Sequence, residues 1–378
     1  MTRRIAATLA LLSALCGVNT ASWAAEPTFD FWQDPASQGL QLTHVRVPVW
    51  WDIDSDTHPE LLYVSANGIE ELSQDEGGEH ALSQVPMAPG LDVGFGPGRA
   101  HLATLDLDGD GQEELLVFGL TAAAYHMVDG YLSRVETTWP EAPLRSINDL
   151  AVGDLNRDGL PDIYFALGRI NWEQIHLSGR PDLLWMNRGQ GQFEAIEVPH
   201  PRDALTRGAT LVDLDNDGWL DIVESVDTSW IAGPSRVLMN RTQPGEPSPS
   251  FEVSPHHWDS GTEGRGVAVA DVNGDGMLDL YSASVGHDLF ALAQPEGGFI
   301  DATFDSGFDH LWTSSGPRYQ WSPRLVDINL DGRLDLLARH GAPLPNGDAL
   351  TTSLAADLVT IQGDDGAFER VRMPNTAE

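Results

Sequence analysis

Asp213-Leu214-Asp215-Asn216-Asp217-Gly218-Trp219-Leu220-Asp221 sets carboxylates at positions 1, 3, 5 and 9 of nine residues, with glycine at position 6. Acids this close oppose one another's ionisation unless a cation shares their field. A hard divalent ion that takes oxygen ligands, above all Ca²⁺, meets that demand. The stretch recurs six times, beginning at Asp52, Asp106, Asp154, Asp213, Asp271 and Asp327, with spacings of 54, 48, 59, 58 and 56 residues. A near-regular period of this length marks an internal repeat.

Comparing the copies column by column separates ligands from scaffold. Position 1 is always Asp. Position 3 is Asp54, Asp108, Asn156, Asp215, Asn273 and Asn329, all oxygen donors. Position 5 is Asp56, Asp110, Asp158, Asp217, Asp275 and Asp331, and position 9 is Glu60, Glu114, Asp162, Asp221, Asp279 and Asp335. Position 7 runs through His58, Gln112, Leu160, Trp219, Met277 and Arg333, so only its backbone carbonyl can serve a common purpose. Glycine fills position 6 in five copies, as a turn residue with positive φ requires. Positions 2 and 10 are always aliphatic and anchor the loop to a core.

The flanks are β-prone, as in Val267-Ala268-Val269-Ala270 and Ile163-Tyr164-Phe165, so each loop is expected to join two strands of a hairpin. An EF-hand shares the opening of the motif but sets its acid at position 12 between helices. Here position 12 is acidic only at Glu224, and no helical period surrounds the loops. A second strand pair follows each loop through Gly-rich turns, as in Leu183 to Asn187 leading to Phe193-Glu194 and Leu358 to Ile361 leading to Phe368-Glu369. Four strands per repeat is the arithmetic of a propeller blade.

The motif D-x-[DN]-x-D-G-x-x-[DE]-[LI], with Gly-containing entries such as Gly94-Phe95-Gly96-Pro97-Gly98, resembles the FG-GAP or VCBS repeats of integrin-like β-propellers. Phe29-Asp30-Phe31-Trp32 and Phe299 to Thr303 resemble the outer strands that introduce such repeats in bacterial members. The resemblance covers about Phe29 to Phe368. It implies an all-β propeller with four-stranded antiparallel blades and Ca²⁺ held at positions 1, 3, 5 and 9 plus the position 7 carbonyl. The spacing leaves no gap for a blade without a motif, so six blades are expected, with seven as the alternative; the Phe29 segment is a candidate to close the ring against blade six. The first copy departs from the pattern, with Thr57 in place of glycine and Pro59 after it. About five or six structural Ca²⁺ ions are therefore expected.

Residues 1–24 read as a secretory signal peptide, with Arg3-Arg4, an apolar run and Ser22-Trp23-Ala24 before the cut, leaving 25–378 as the propeller. The protein is then periplasmic or secreted, with no membrane insertion. Cys16, the only cysteine, lies in that signal, and Leu15 stands where a lipoprotein signal needs a small residue. Against 57 acids stand 21 basic residues, all arginine, for a net charge of −36. Nucleic acid and anionic membranes are poor partners for such a chain. Without lysine, Schiff-base chemistry and the P-loop are excluded.

No G-x-S-x-G elbow or H-E-x-x-H motif is present. The polar-aromatic connectors offer the candidate ligand contacts: Trp230, His310, Trp312, Arg318, Tyr319 and Trp321, with Trp172 and Trp258 nearby in kind. Exposed tryptophan suits sugar stacking or protein contact, and packing between blades is the competing role. The leading expectation is a non-catalytic binding or adhesion module for an unidentified protein or glycan. The alternative is a calcium-dependent polysaccharide lyase or hydrolase, for which Arg318, Tyr319 and His310 are the candidates.

Overall fold

The computed structural model describes residues 49–371, apart from 52, 54–59, 66–67, 75–79, 89–99, 120, 142–143, 145–146, 169, 172–175, 178–180, 200–204, 228–232, 256–257, 259–262, 286, 309–311, 314–315, 318–319 and 341–357. Six four-stranded antiparallel sheets follow one another along the chain. The first comprises Val49–Trp51, Glu60–Ser65, Gly68–Gln74 and His80–Gln84. The second comprises His101–Leu105, Glu114–Phe118, Ala122–Val128 and Tyr131–Val135. The third is Ile147–Gly153, Asp162–Leu167, Leu183–Asn187 and Phe193–Ile196, with a small hairpin, Ile170–Asn171 and His176–Leu177, between its middle strands. The fourth is Thr206–Val212, Asp221–Val226, Arg236–Asn240 and Phe251–Val253, and the fifth is Gly264–Ala270, Asp279–Ser284, Leu289–Ala293 and Phe299–Asp301. The sixth is Gln320–Val326, Asp335–His340, Leu358–Gln362 and Phe368–Val371, preceded by the hairpin Trp312–Thr313 and Gly316–Pro317. No helix occurs among the described elements.

Within every sheet the strands pair in sequence order, so each sheet is a blade-like meander. The expected hairpins are present: each motif loop joins the first strand of its sheet to the second. The second strands are the most buried, with all of Asp162–Leu167, Asp221–Val226 and Asp279–Ser284 shielded from water. Alternation within them explains why. Ile163 and Phe165 face the second sheet, in one cluster with Phe118 and Trp185, while Tyr164 faces the fourth, in another with Ile222 and Leu238. The apolar cores therefore lie between successive sheets. Phe118, Phe165 and Trp185 meet edge to face at 4.9 to 6.2 Å, the geometry that aromatic quadrupoles favour.

The first strands of successive sheets run side by side, and three are bulged at one column. Asn148, Arg207 and Arg265 are the extra residues of the third, fourth and fifth sheets, each six positions before its motif Asp. A bulge turns its extra residue out of the ladder. Arg207 Nε lies 3.0 Å from Asp227 and its Nη1 3.1 Å from Asn148, and Arg265 reaches the same Asp227 at 3.2 Å. This network ties three sheets at the ends away from the motif loops. Beside it Gly208 meets Gly266, where a Cβ would stand 2.8 Å from the neighbouring Cα. From the sixth sheet, the charge of Arg324 favours the ionised form of Asp149 of the third.

Segments leaving one sheet run on to the outer strand of the next. Leu132 bonds Pro86 and Ala88, Phe193 bonds Thr138, and Phe368 bonds Ser306. These segments extend the sheets beyond their fourth strands. Residues 1–24, the Phe29 segment and Gly94 to Gly98 lie outside the described residues.

Candidate metal centres

In the second loop, Asp106 Oδ1 accepts the Gly109 and Asp110 amides at 2.7 and 3.1 Å, and its Oδ2 accepts Gly111 at 2.8 Å. Asp110 accepts the Gln112 amide at 2.8 Å, and Glu114 reaches back to the Leu107 amide at 2.8 Å. Ligand oxygens of Asp106, Asp108 and Glu114 lie within 4.8 Å of one another, as do those of Asp213, Asp215 and Asp221 in the fourth loop. The same amide skeleton recurs in the remaining described loops, where Asp154, Asp271 and Asp327 accept the amides of positions 5 and 6. There Asn156, Asn273 and Asn329 stand at position 3 and donate to Asp158, Asp275 and Asp331. Asp52, Asp54 and Asp56 lie outside the described residues; of that copy, Glu60 accepts the Ile53 amide at 3.0 Å.

Position 6 adopts the expected left-handed backbone, with φ of 86 to 91° at Gly111, Gly159, Gly218, Gly276 and Gly332. Position 4 is left-handed too, and the motif does not announce it. Gly109, Arg157, Asn216, Gly274 and Leu330 have φ of 58 to 81°. Two glycines and an asparagine in that column are the sequence signal. Arg157 and Leu330 hold the conformation against a steric cost of about 1–2 kcal/mol each.

Position 9 is the most enclosed ligand. Asp162, Asp221, Asp279 and Asp335 are fully buried and Glu114 nearly so. Burial pushes Glu114 and Asp162 up to about 7 and Asp221 up to about 6, and raises Asp279 and Asp335, against the pull of their backbone N–H partners. A cation beside them would offset that cost, and the all-oxygen donor set fits a hard one. Arginine already stands near two loops. Arg241 Nη1 lies 2.9 Å from Asp215 and 3.4 Å from Asp217, and Arg333 bonds Asp331 in its own loop and Asp364 beyond it.

Of the six candidate ligand contacts, Trp312 and Trp321 are those whose backbone is described. Trp230, His310, Arg318 and Tyr319 lie outside the described residues. Trp312 and Trp321 fall in strands, and their side chains are not among those described. Trp258 takes the packing role, buried with Val267 and Leu289 between the fourth and fifth sheets.

No family model matches the chain. Cartilage acidic protein 1 of Homo sapiens is 26% identical over 211 residues, 49% of this chain and 27% of that protein. The Mus musculus protein is 26% identical over 205 residues, with the same shares, 49% and 27%. The match thus spans about a quarter of the length of these curated relatives. Among solved structures, an Agrocybe aegerita lectin, described for its recognition of non-reducing terminal N-acetylglucosamine, is similar at a TM-score of 0.49 and 18% identity, covering 73% of this chain and 70% of that one. The extracellular domain of a one-component system from B. thetaiotaomicron has a TM-score of 0.48 at 11% identity, covering 87% and 33%.

Proposed function

We propose that the chain is an exported, calcium-stabilised β-propeller of the FG-GAP/VCBS type, acting as a non-catalytic binding or adhesion module for a protein or glycan. The observation that carries the metal half is the convergence of Asp106, Asp108 and Glu114 oxygens within 4.8 Å, repeated at Asp213, Asp215 and Asp221. Backbone amides already hold Asp106, Asp108, Glu114, Asp213 and Asp221 in place, so little rearrangement of these is needed to load the loop. Asp110 and Asp217, at position 5 of the motif, would add their oxygens to the set around a bound ion. Ca²⁺ would supply neutralising charge to hairpins that no disulfide staples.

The binding half rests on how the sequence is divided between the two ends of the sheets. Motif loops occupy one end. At the other, Val226 ends one strand and Arg236 begins the next, with Trp230 between them in sequence. A structural metal end leaves the opposite end free to carry recognition.

Melting with and without chelator, together with elemental analysis, tests the metal. A lower Tm on chelation and about five or six calcium ions per chain are expected. Unchanged melting with no bound calcium would overturn the metal half. Glycan and envelope-protein arrays, read for both capture and product release, test the rest. Capture without turnover is expected, and released oligosaccharide products would sink the binding-only role.

A further inference from the structure

In the third, fourth and sixth sheets the last residue of the third strand links one motif loop to the loop before it. Asn187 donates its backbone N–H to Asp162 Oδ1 at 2.9 Å, while its side-chain amide reaches across to the Leu107 carbonyl of the preceding sheet at 3.1 Å. Asn240 repeats both bonds one sheet later, to Asp221 Oδ1 at 2.7 Å and to the Leu155 carbonyl at 2.9 Å. The two carbonyl acceptors belong to position 2 residues. The amides of those same residues bond the position 9 carboxylates of their own loops, Leu107 to Glu114 at 2.8 Å and Leu155 to Asp162 at 2.9 Å.

The bonds therefore join end to end: Glu114, Leu107, Asn187, Asp162, Leu155, Asn240, Asp221. Both asparagines are fully buried, so water does not substitute for a lost partner. Gln362 makes the same pair of bonds between the sixth and fifth loops, to Asp335 at 2.9 Å and the Val272 carbonyl at 3.3 Å. Val272 in turn donates to Asp279 at 3.0 Å. Between the fourth and fifth loops the relay stops. Ala293 holds the equivalent register, two residues after the partner of Leu280, and its N–H bonds Asp279 at 2.9 Å. It has no side-chain amide to reach the fourth loop. Met127 holds the equivalent place in the second sheet, two residues after the partner of Leu115, and ends the relay there for the same reason.

We infer that Asn187 and Asn240 couple the second, third and fourth motif loops into one cooperative unit, and that Gln362 couples the fifth and sixth into another. The cation that the coupling would serve rests on the calcium proposal above; the relay itself belongs to the chain. Each position 9 carboxylate is gripped on both oxygens, by its own position 2 amide and by the third strand, in all four fully buried cases. A shift of that carboxylate moves the asparagine, and the asparagine moves position 2 of the loop before it. Coupling through such an element is reciprocal.

Hydrogen exchange in chelator, resolved by loop, tests the relay without metal. Asn187→Ala is expected to raise exchange about fivefold in both the 106–114 and 154–162 loops, the factor one hydrogen bond supports, and to leave 271–279 unchanged. Asn187→Gln should restore part of the protection, since Gln362 spans the equivalent gap. In the opposite direction, Ala293→Asn should protect the fourth loop, so the coupling is testable even if the deletion fails to fold. Calorimetric titration with CaCl₂ alone then reads the function: disabling the second loop by Asp106→Asn should weaken the third about fivefold in the parent and not in Asn187→Ala. Equal loosening of all loops, or loosening confined to the loop of the mutated sheet, would overturn the coupling. If CaCl₂ does not bind while the exchange pattern appears, the coupling stands and the calcium proposal falls.

Discussion

Arg157 lies over the indole of Trp219, its Cζ 5.1 Å from the ring centroid, although the two residues belong to different motif loops. Position 4 of the third loop thus meets position 7 of the fourth. The side chain of Trp219 is buried beneath this contact, although positions 3 to 6 of its loop are exposed. A cation over an indole contributes about 0.5–1 kcal/mol where water still reaches the cation. A double-mutant cycle with Arg157→Ala and Trp219→Ala, measured by urea denaturation, should return that coupling. Additive effects would show that the two loops are not joined through this contact.

Gly208→Ala should destabilise the fold by about 1–3 kcal/mol, because the new methyl meets backbone rather than a movable side chain. Denaturation midpoints of Gly208→Ala and of Ala209→Gly separate this close approach from a general sensitivity of the strand. Only the former should fall by the full amount.

Leu330→Asn should stabilise the sixth loop by about 0.5–1 kcal/mol. Leu330 has φ of 64° and is 51% exposed, so it carries strain with little packing to lose. Thermal melting of the two proteins at one pH reads the difference directly. A lower Tm would mean that Leu330 makes a contribution the loop geometry does not reveal.

Asp149 gives a pH signature. Part of its surface remains open, yet the surrounding protein removes enough water to push its carboxyl up to about 6, against the opposing pull of the Ala209 amide and Arg324. The folded state therefore holds this proton more tightly than the unfolded chain, whose Asp titrates near 4. Stability from this group falls as pH rises from about 4 to about 6, and the cost is complete above that. Asp149→Asn should raise stability at pH 7.5 by on the order of 1–2 kcal/mol, with the gain vanishing towards pH 4. A gain independent of pH would assign the effect to packing instead.

Arg241 should compete with any cation at the fourth loop, since its guanidinium already sits on Asp215 and Asp217. Exposed pairs of this kind contribute little, about 0.2–1 kcal/mol. Arg241→Gln should accordingly tighten CaCl₂ binding at that loop by roughly two- to fivefold, with the fifth and sixth loops, outside its coupled unit, staying unchanged. Weaker binding would recast Arg241 as a support for the loop.

The five described loops, the hairpins and the four strands per repeat were legible because each depends on residues close in sequence. Asp at position 1 folds back on amides four and five residues ahead, and Gly at position 6 is dictated by its own φ. What stayed hidden depends on neighbours in space. Asn187 reads only as the end of a strand, and the pairing of sheets shows that it touches Leu107, 80 residues earlier. Arg207 and Arg265 share a column six places before the motif, but nothing local says that both point at Asp227. Trp258 is a tryptophan on a connector in sequence and part of a core in space.

The segments that run on from one sheet to the next have a consequence for synthesis. Pro86 and Ala88 precede Leu132, Thr138 precedes Phe193, and Ser306 precedes Phe368, so every covering segment leaves the ribosome before the strand that it covers. In these three sheets the outer edge never has to wait for later sequence before it is paired. A nascent chain built in this order shields the outer edges of these three sheets from their copies as they form, which suits sheets whose outer strands would otherwise invite edge-to-edge aggregation.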